Sequence, residues 1–404
     1  MRSFLDRNSI NRRSLIKGIG AAATLTLAAP AILRAQETPL RLGTLTPLTG
    51  AGGPYGPTMV DAVRKVIDNI NGSGVLKREI VLVSEDSQTN PEAAVRAARK
   101  LIDVDQVSAI IGTWASAVTT AVAPMCWESK TMLFTVSGAD SITQLPHDGY
   151  IIRTQPNTTL QGLKFGAFAI ELGGKRVFFL TPQTPFADSQ FVTITSSVEE
   201  AGGVTERLIY DDKKPSLRSE VDQALRFNPD VIILGGYTPD TTILMRDLYR
   251  SGFEGKLIGF GYSINQDLLN GLPADVVEGA YTLSPSPAEG SKAYDELAEL
   301  VGVAAPDTYT CQVYDHINMI LTTVAKAGGV SGTEIRDTIR TISQGGGTVV
   351  ENATAGIEAV QAGDKVDYSG ASGPCDFNDI GDIVDANFRY EQVVDGKITL
   401  LKIA

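Results

Sequence analysis

The chain has 404 residues, 20% of them charged and 43% apolar or aromatic, with a formal net charge of −12. That length can bury a sizeable core and suggests two domains or slightly more. The acidic balance argues against a nucleic-acid partner. Only two histidines, His147 and His316, leave little material for a histidine metal site or general base.

Residues 1–35 read as a leader outside the fold. Asn11-Arg12-Arg13-Ser14-Leu15-Ile16-Lys17 sets paired arginines ahead of an alanine-rich apolar stretch at 18–33, and a cleavage point follows Ala35. The stretch is too short and too rich in alanine for a stable membrane span. The paired-arginine run resembles the twin-arginine export signal, which implies a periplasmic mature protein. Residues 1–35 hold six basic residues and one acidic, so the mature chain carries about −17. Cys126, Cys311 and Cys375 are too far apart for a metal or redox motif, and mostly buried thiols with at most one disulfide are expected.

The mature chain opens with a strand at 40–45, a Gly/Pro-rich loop at 47–57 and a helix at 59–71. In that helix Val60, Val63, Val66, Ile67 and Ile70 recur at helical spacing. A strand at 79–83, a polar loop, and a helix at 91–102 with Pro91 at its start come next. The stretch at 107–125 is the most informative. An apolar strand at 107–111 stops at Gly112, and a helix of small residues starts at Ser116. Its turn, Thr113-Trp114-Ala115-Ser116, therefore falls at the carboxyl end of a parallel strand, where open α/β sheets bind ligands. Free N–H groups at the helix start, the Ser116 hydroxyl and the flat Trp114 wall make it a candidate carboxylate cradle. A strand at 131–135 completes this half.

The same plan restarts after Ile151-Ile152-Arg153-Thr154, with strands at 175–180, 230–234 and 256–260 and helices at 191–201 and 241–251. An extended segment at 278–287, three helices at 291–301, 308–327 and 333–343, and a strand-like tail at 388–403 follow. Alternating strands and helices predict parallel, doubly wound sheets in two Rossmann-like lobes. A tail of strands after a helical block suits a chain that crosses between lobes more than once. The acidic run at 376–382 has the glycine of a calcium loop, but Ile380 and Asn387 stand where ligands are needed, so it reads as a polar turn. The catalytic motifs of serine hydrolases, P-loop enzymes and zinc proteases are absent, and no enzyme, metal or cofactor is expected.

These residues together resemble the periplasmic solute-binding proteins of ABC transporters, in particular the branched-chain amino-acid (Leu/Ile/Val) binding type. The resemblance rests on Gly43 with Pro47-Leu48-Thr49-Gly50 and Tyr55-Gly56, Ala109-Ile110-Ile111-Gly112 through Ser116 to Pro124, and Ile151-Ile152-Arg153-Thr154. It continues at Gly235-Gly236-Tyr237-Thr238-Pro239-Asp240, Val277-Glu278-Gly279, and Gly373-Pro374 before Asp376-Phe377. It implies a periplasmic binding protein type I fold, with a ligand held between two lobes on three hinge crossovers. These would lie near Arg153-Thr154, at 281–283 and at Pro374-Cys375. Lobe 1 would then be 36–153 with 284–373, and lobe 2 would be 154–283 with 374–404.

The resemblance further implies a monomer that hands its ligand to a membrane permease. Its ligand positions fall on Tyr55, Ser116, Ser137 to Ala139, Tyr237 and Glu278, and Phe186 matches an aromatic facing the ligand from the second lobe. Ser116 would take an α-carboxylate and Glu278 an α-amino group. Ala139 replaces a threonine usual in the family, Asp140 beside it offers a charge instead, and Trp114 is larger than the usual residue. The expected ligand is an L-α-amino acid with an apolar or aromatic side chain. An aromatic or other small carboxylate is the alternative, as is a ligand-sensing receptor on the same fold.

Overall fold

The computed structural model describes residues 37–404, and the expected leader at 1–35 lies outside the described residues. The chain begins with β1 (Leu40–Thr46), α1 (Gly56–Ser73), β2 (Ile80–Asp86), α2 (Pro91–Arg99), β3 (Ala109–Thr113) and α3 (Ser116–Ser129). β4 (Met132–Thr135) and β5 (Ile151–Arg153) follow. Their five strands form one parallel sheet in the order β2-β1-β3-β4-β5. β3 and β4 are buried at every position, which is why they read as unbroken apolar runs.

The second lobe is entered through α4 (Thr158–Glu171), β6 (Arg176–Pro182), α5 (Pro185–Glu200), β7 (Val204–Tyr210) and α6 (Arg218–Arg226). It continues with β8 (Val231–Leu234), α7 (Thr238–Ser251), β9 (Lys256–Phe260), α8 (Gln266–Gly271), α9 (Ala274–Val277) and β10 (Tyr281–Pro285). The chain returns to the first lobe for α10 (Lys292–Val301), α11 (Thr308–Ala327), α12 (Gly332–Ile339) and α13 (Ala353–Ala362). A small sheet of β11 (Thr348–Val350), β12 (Val366–Gly370) and β13 (Gly373–Pro374) joins them. β14 (Phe388–Val394) and β15 (Lys397–Ile403) then complete a seven-stranded sheet, β15-β14-β10-β9-β8-β6-β7. One apolar core fills the first lobe, with Ile110, Phe134 and Ile152 from the sheet against Ile317 and Ile320 of α11. The second sheet carries a core on each face. The α/β fold of two lobes is thus as expected.

The chain crosses between lobes three times, but two boundaries differ from expectation. Ser284 and Pro285 belong to β10, paired to β14 of the second lobe, so the second crossover follows residue 285. Cys375, Phe377 and Ile383 pack into the first lobe's core, whereas Phe388 packs into the second. The third crossover therefore falls at 384–387 and not at Pro374-Cys375. The segment held back is fastened by Arg153. This fully buried guanidinium donates from Nε and Nη2 to Asp382 Oδ1, at 2.9 and 2.7 Å. It also donates to the Ala139 carbonyl at 2.6 Å and to Thr143 Oγ1 at 2.9 Å. Asp382 Oδ2 accepts from Asn157 Nδ2 at 3.2 Å. The acidic run is a turn, with Asn378 Oδ1 accepting from the Ile380 and Asp382 amides.

The first crossover is also tied to α11. Thr154 Oγ1 lies 2.7 Å from His316 Nε2, and Gln312 Nε2 donates to Gln155 Oε1 at 2.7 Å. All three cysteines are free and buried.

Two consequences for stability follow. Removing one partner of a buried ion pair strands the other, at a cost of about 3–5 kcal/mol. Asp382→Asn should lower the urea-unfolding free energy by that order, and a loss below about 1 kcal/mol would show that the pair does not hold the crossovers. Burial pushes the His316 pKa down to about 3, against about 6.5 in an unfolded chain. The native state therefore favours the neutral ring. Its stabilisation is complete above the unfolded value and is lost as the pH falls toward 3, at up to about 1.4 kcal/mol per pH unit. His316→Gln should flatten that slope but not abolish it, because burial lowers the His147 pKa in the same direction.

Candidate functional site: an aromatic cleft at an uncapped helix start

The cleft is built outward from a bulge at the end of β3. Gly112 has φ +90°, and the pairing of β3 with β4 slips between Ile111 and Thr113. A Cβ there would approach Thr46 Cγ2 to 2.8 Å, so glycine is needed both for the angle and for the space. The bulge turns Trp114 out of the sheet and across the mouth between the lobes. Its ring stacks on Tyr55 at 5.6 Å and meets Tyr309 edge-on at 5.6 Å. From the second lobe Tyr237 lies 5.4 Å away and Tyr262 5.8 Å. Contacts of this kind contribute about 0.5–1.5 kcal/mol each beyond area burial, and those to Tyr237 and Tyr262 join the two lobes.

α3 starts immediately after this ring. Its N-cap residue is Ala115, which makes no side-chain cap bond, so the first-turn N–H groups keep the partial positive charge of the helix start. α5, which also begins at the cleft, is capped by its own Thr184, whose side chain accepts from the Ala187 amide. The α3 start faces a cavity of about 30 Å³ walled by residues of both lobes, among them Trp114, Ser116, Gln155, Phe186, Tyr237 and Tyr262. The lining holds no charged side chain. The Trp114 indole N–H is buried and makes no well-formed hydrogen bond, although the Tyr309 hydroxyl stands near enough for Trp114 to oppose the rise in the Tyr309 pKa. Burial raises the pKa of Tyr55, Tyr237, Tyr262 and Tyr309 above the ordinary phenol value, so their hydroxyls stay protonated.

The sequence profile of the family described as periplasmic binding protein matches residues 39–357. The chain belongs to that family. The Leu/Ile/Val-binding protein BraC3 of Rhizobium johnstonii is 23% identical over 329 residues, covering 79% of this chain and 87% of the relative. A leucine binding protein, LivK, from Thermotoga maritima superposes with a TM-score of 0.77 at 22% identity, over 90% of this chain and 98% of its own. A solute binding protein of an ABC transporter from Rhodopseudomonas palustris, in complex with 3,4-dihydroxybenzoic acid, gives 0.72 at 21% identity, over 91% and 97%. The expected resemblance to the Leu/Ile/Val-binding type is borne out, and members of this family are binding and transport proteins. No helix among the described residues is long and apolar enough to cross a membrane.

Around this cavity the expected residues separate into two groups. Trp114, Ser116, Phe186 and Tyr237 line the cavity. Tyr55 stands one layer back, stacked on Trp114, with its hydroxyl accepting from Asn265 Nδ2 across the cleft at 3.1 Å. Ser137 points inward, 2.7 Å from the Trp114 carbonyl and 2.6 Å from Thr119 Oγ1. The fully buried Ala139 contributes only backbone, donating to Ser116 Oγ at 3.2 Å and accepting from Arg153. The two expected carboxylates are elsewhere. Asp140 accepts from the Thr159 amide and hydroxyl, at 3.1 and 2.7 Å, and so caps the start of α4. Glu278 accepts from the Asp395 and Gly396 amides, at 3.1 and 3.2 Å, and holds the β14–β15 turn. The reason is directional. Glu278 precedes β10, at the amino ends of the parallel strands, whereas the cleft lies at their carboxyl ends.

Sequence reasoning missed Gln155, Tyr262 and Tyr309. Tyr262 follows the end of β9 by two residues, so the strand-end rule applied at Trp114 points to it as well. Tyr309 sits in the first turn of a lobe-1 helix and Gln155 in a crossover, where no local signal marks a ligand wall.

The Tyr55–Asn265 bond joins the lobes directly, and a neutral hydrogen bond contributes about 0.5–1.5 kcal/mol. Tyr55→Phe should therefore shift the ligand-free protein toward an open form by roughly 2- to 12-fold, seen as a larger radius of gyration in solution scattering. An unchanged radius would show that this bond does not hold the lobes together.

Proposed function

We propose that the protein is the extracytoplasmic solute-binding component of an ABC transporter and that it captures a small aromatic monocarboxylate between its lobes. The observation that carries this reading is the composition of the cavity wall. It combines an uncapped helix start and donor side chains with aromatic rings, and it has no charged side chain. A carboxylate gains from the α3 amides, the Ser116 hydroxyl and the helix dipole. An aryl ring gains from the faces of Trp114, Phe186, Tyr237 and Tyr262, which must part to admit it, because the space between them is only about 30 Å³. The indole N–H of Trp114, which makes no well-formed bond within the protein, is a donor for an acceptor on the ligand in place of the nearby Tyr309 hydroxyl.

An ammonium group has no carboxylate to meet on that wall, since Glu278 and Asp140 are engaged elsewhere. Asp240 of α7 is also occupied, with the Tyr210 hydroxyl donating to it at 2.6 Å. The second reading is an apolar L-α-amino acid, favoured by the similarity to BraC3 and to the leucine binding protein. Ligand closure would work by selection: contacts from both lobes favour the closed form by the difference in affinity between the two forms.

The two readings part in a thermal-shift screen of benzoate and hydroxybenzoates, their neutral amides, and leucine, isoleucine, valine and phenylalanine. Acids at a hundredfold excess over Kd should stabilise the protein by about 2.7 kcal/mol, and the amides and amino acids should not. Ser116→Ala removes a hydrogen bond to a charged group, and should weaken acid binding by roughly 10- to 100-fold. Stabilisation by the amino acids alone would overturn the aromatic-acid reading in favour of the second.

A further inference from the structure

Behind the cavity lies a second, larger space that the function above does not use. It measures about 450 Å³ and also lies between the lobes, with Tyr55, Tyr294 and Ala305 on one side and Ile264, Gln266 and Arg389 on the other. That volume is in the range of small-molecule sites, roughly 300–1,000 Å³, whereas 30 Å³ admits only one or two waters. The two spaces have two residues in common, Tyr262 and Tyr309. The shared wall is therefore made of aromatic side chains, which turn about two torsions each.

We infer that this chamber is a second compartment of the ligand site, taking an apolar extension of an aromatic acid whose carboxylate sits at the α3 start. The inference rests on the aromatic-acid reading above and adds to it a ligand class, monocarboxylates longer than one ring. The walls set the chemistry of the far end. Pro285, Pro287, Pro306 and Ile398 are apolar. Arg389 is the one cation of the lining, and it is already paired with Glu289 and, at 2.8 Å, with Glu391. Asp307 adds a third carboxylate, occupied by the Tyr309 and Thr310 amides. Three carboxylates against one guanidinium leave a surplus of negative charge, so the chamber accepts an apolar or donor-bearing end and rejects a second carboxylate. An occupant touches both lobes, so its extension also favours closure.

Calorimetric titration with three acids tests this: benzoate, biphenyl-4-carboxylate and biphenyl-4,4′-dicarboxylate. The extended monoacid should bind at least tenfold tighter than benzoate, and the diacid at least tenfold more weakly than the extended monoacid. Ala305→Trp and Gln266→Trp each replace an exposed residue of the lining, one on each lobe. Either should abolish the gain from the extension while leaving benzoate within twofold. Benzoate binding with no gain for the longer acid, or a gain that both variants leave intact, would overturn the second compartment and spare the aromatic-acid reading. Binding of none of the three would overturn both.

Discussion

The ion pair of Arg153 and Asp382 is the constraint on which the arrangement of the lobes depends. One buried guanidinium reaches Asp382 beside the third crossover, the Ala139 carbonyl and Thr143 in the loop behind Ser116, and it is itself the last residue of β5. The backbone repeats the link, with the Arg153 amide donating to Gly381 at 2.9 Å. Burial lowers the pKa of Arg153, and Asp382 opposes that shift. Such a pair adds little net stability over an apolar core. What it gives is geometry, because two separate crossovers must leave the first lobe from a single fixed point. The same contacts set the height of the 137–140 loop, whose Ala139 amide orients the Ser116 hydroxyl.

Around that fixed point the site is a division of labour between backbone and rings. In the proposed reading the anion meets main-chain amides of α3, which no substitution removes directly, and the rings around it come from both lobes. Gly112 is the piece that permits this. A bulge at the end of β3 re-aims Trp114, and the helix behind it starts with an alanine that cannot satisfy its own amides. The neighbouring starts are served differently, α5 by Thr184 and α4 by Asn157 and Asp140. The starts of α1 and α7, whose N-cap residues Tyr55 and Tyr237 belong to the same cleft, have no side-chain cap either, and what distinguishes α3 is that its first turn, with Ser116, lines the cavity.

Much of this was legible in the sequence, and the reasons for the exceptions are physical. Fully buried parallel strands announce themselves as apolar runs, so β3, β4, β6, β8 and β9 and the turn at Trp114 were found. β7, VTERLIY, was left unassigned because it is the outermost strand, largely exposed, and mixes charged with apolar residues. α4 carries apolar residues and two glycines around much of its circumference, which blurs the helical period. Tyr55, Phe186 and Tyr237 are expected at the ligand because they match positions of the family that the sequence resembles. Glu278 and Asp140, expected at the ligand, accept instead from backbone amides, and in a sequence a carboxylate near a glycine turn looks the same in either case. Only the direction of the strands separates the two cases. The third crossover, which the resemblance implies at Pro374-Cys375, comes later because Phe377 and Ile383 still have apolar partners in the first lobe.

The three thiols bear on how the protein must be made. Cys126, Cys311 and Cys375 are each sealed from solvent, and burial pushes the Cys126 thiol up to about 12 and the other two well above their ordinary value. Oxidants act on exposed thiolate, so the finished fold is inert to them. The vulnerable species is the unfolded chain, in which an odd number of cysteines always leaves one without a partner inside the molecule. Yield in an oxidising compartment is then a race between core formation and thiol chemistry, and a chain that completes its fold before meeting an oxidant never enters that race.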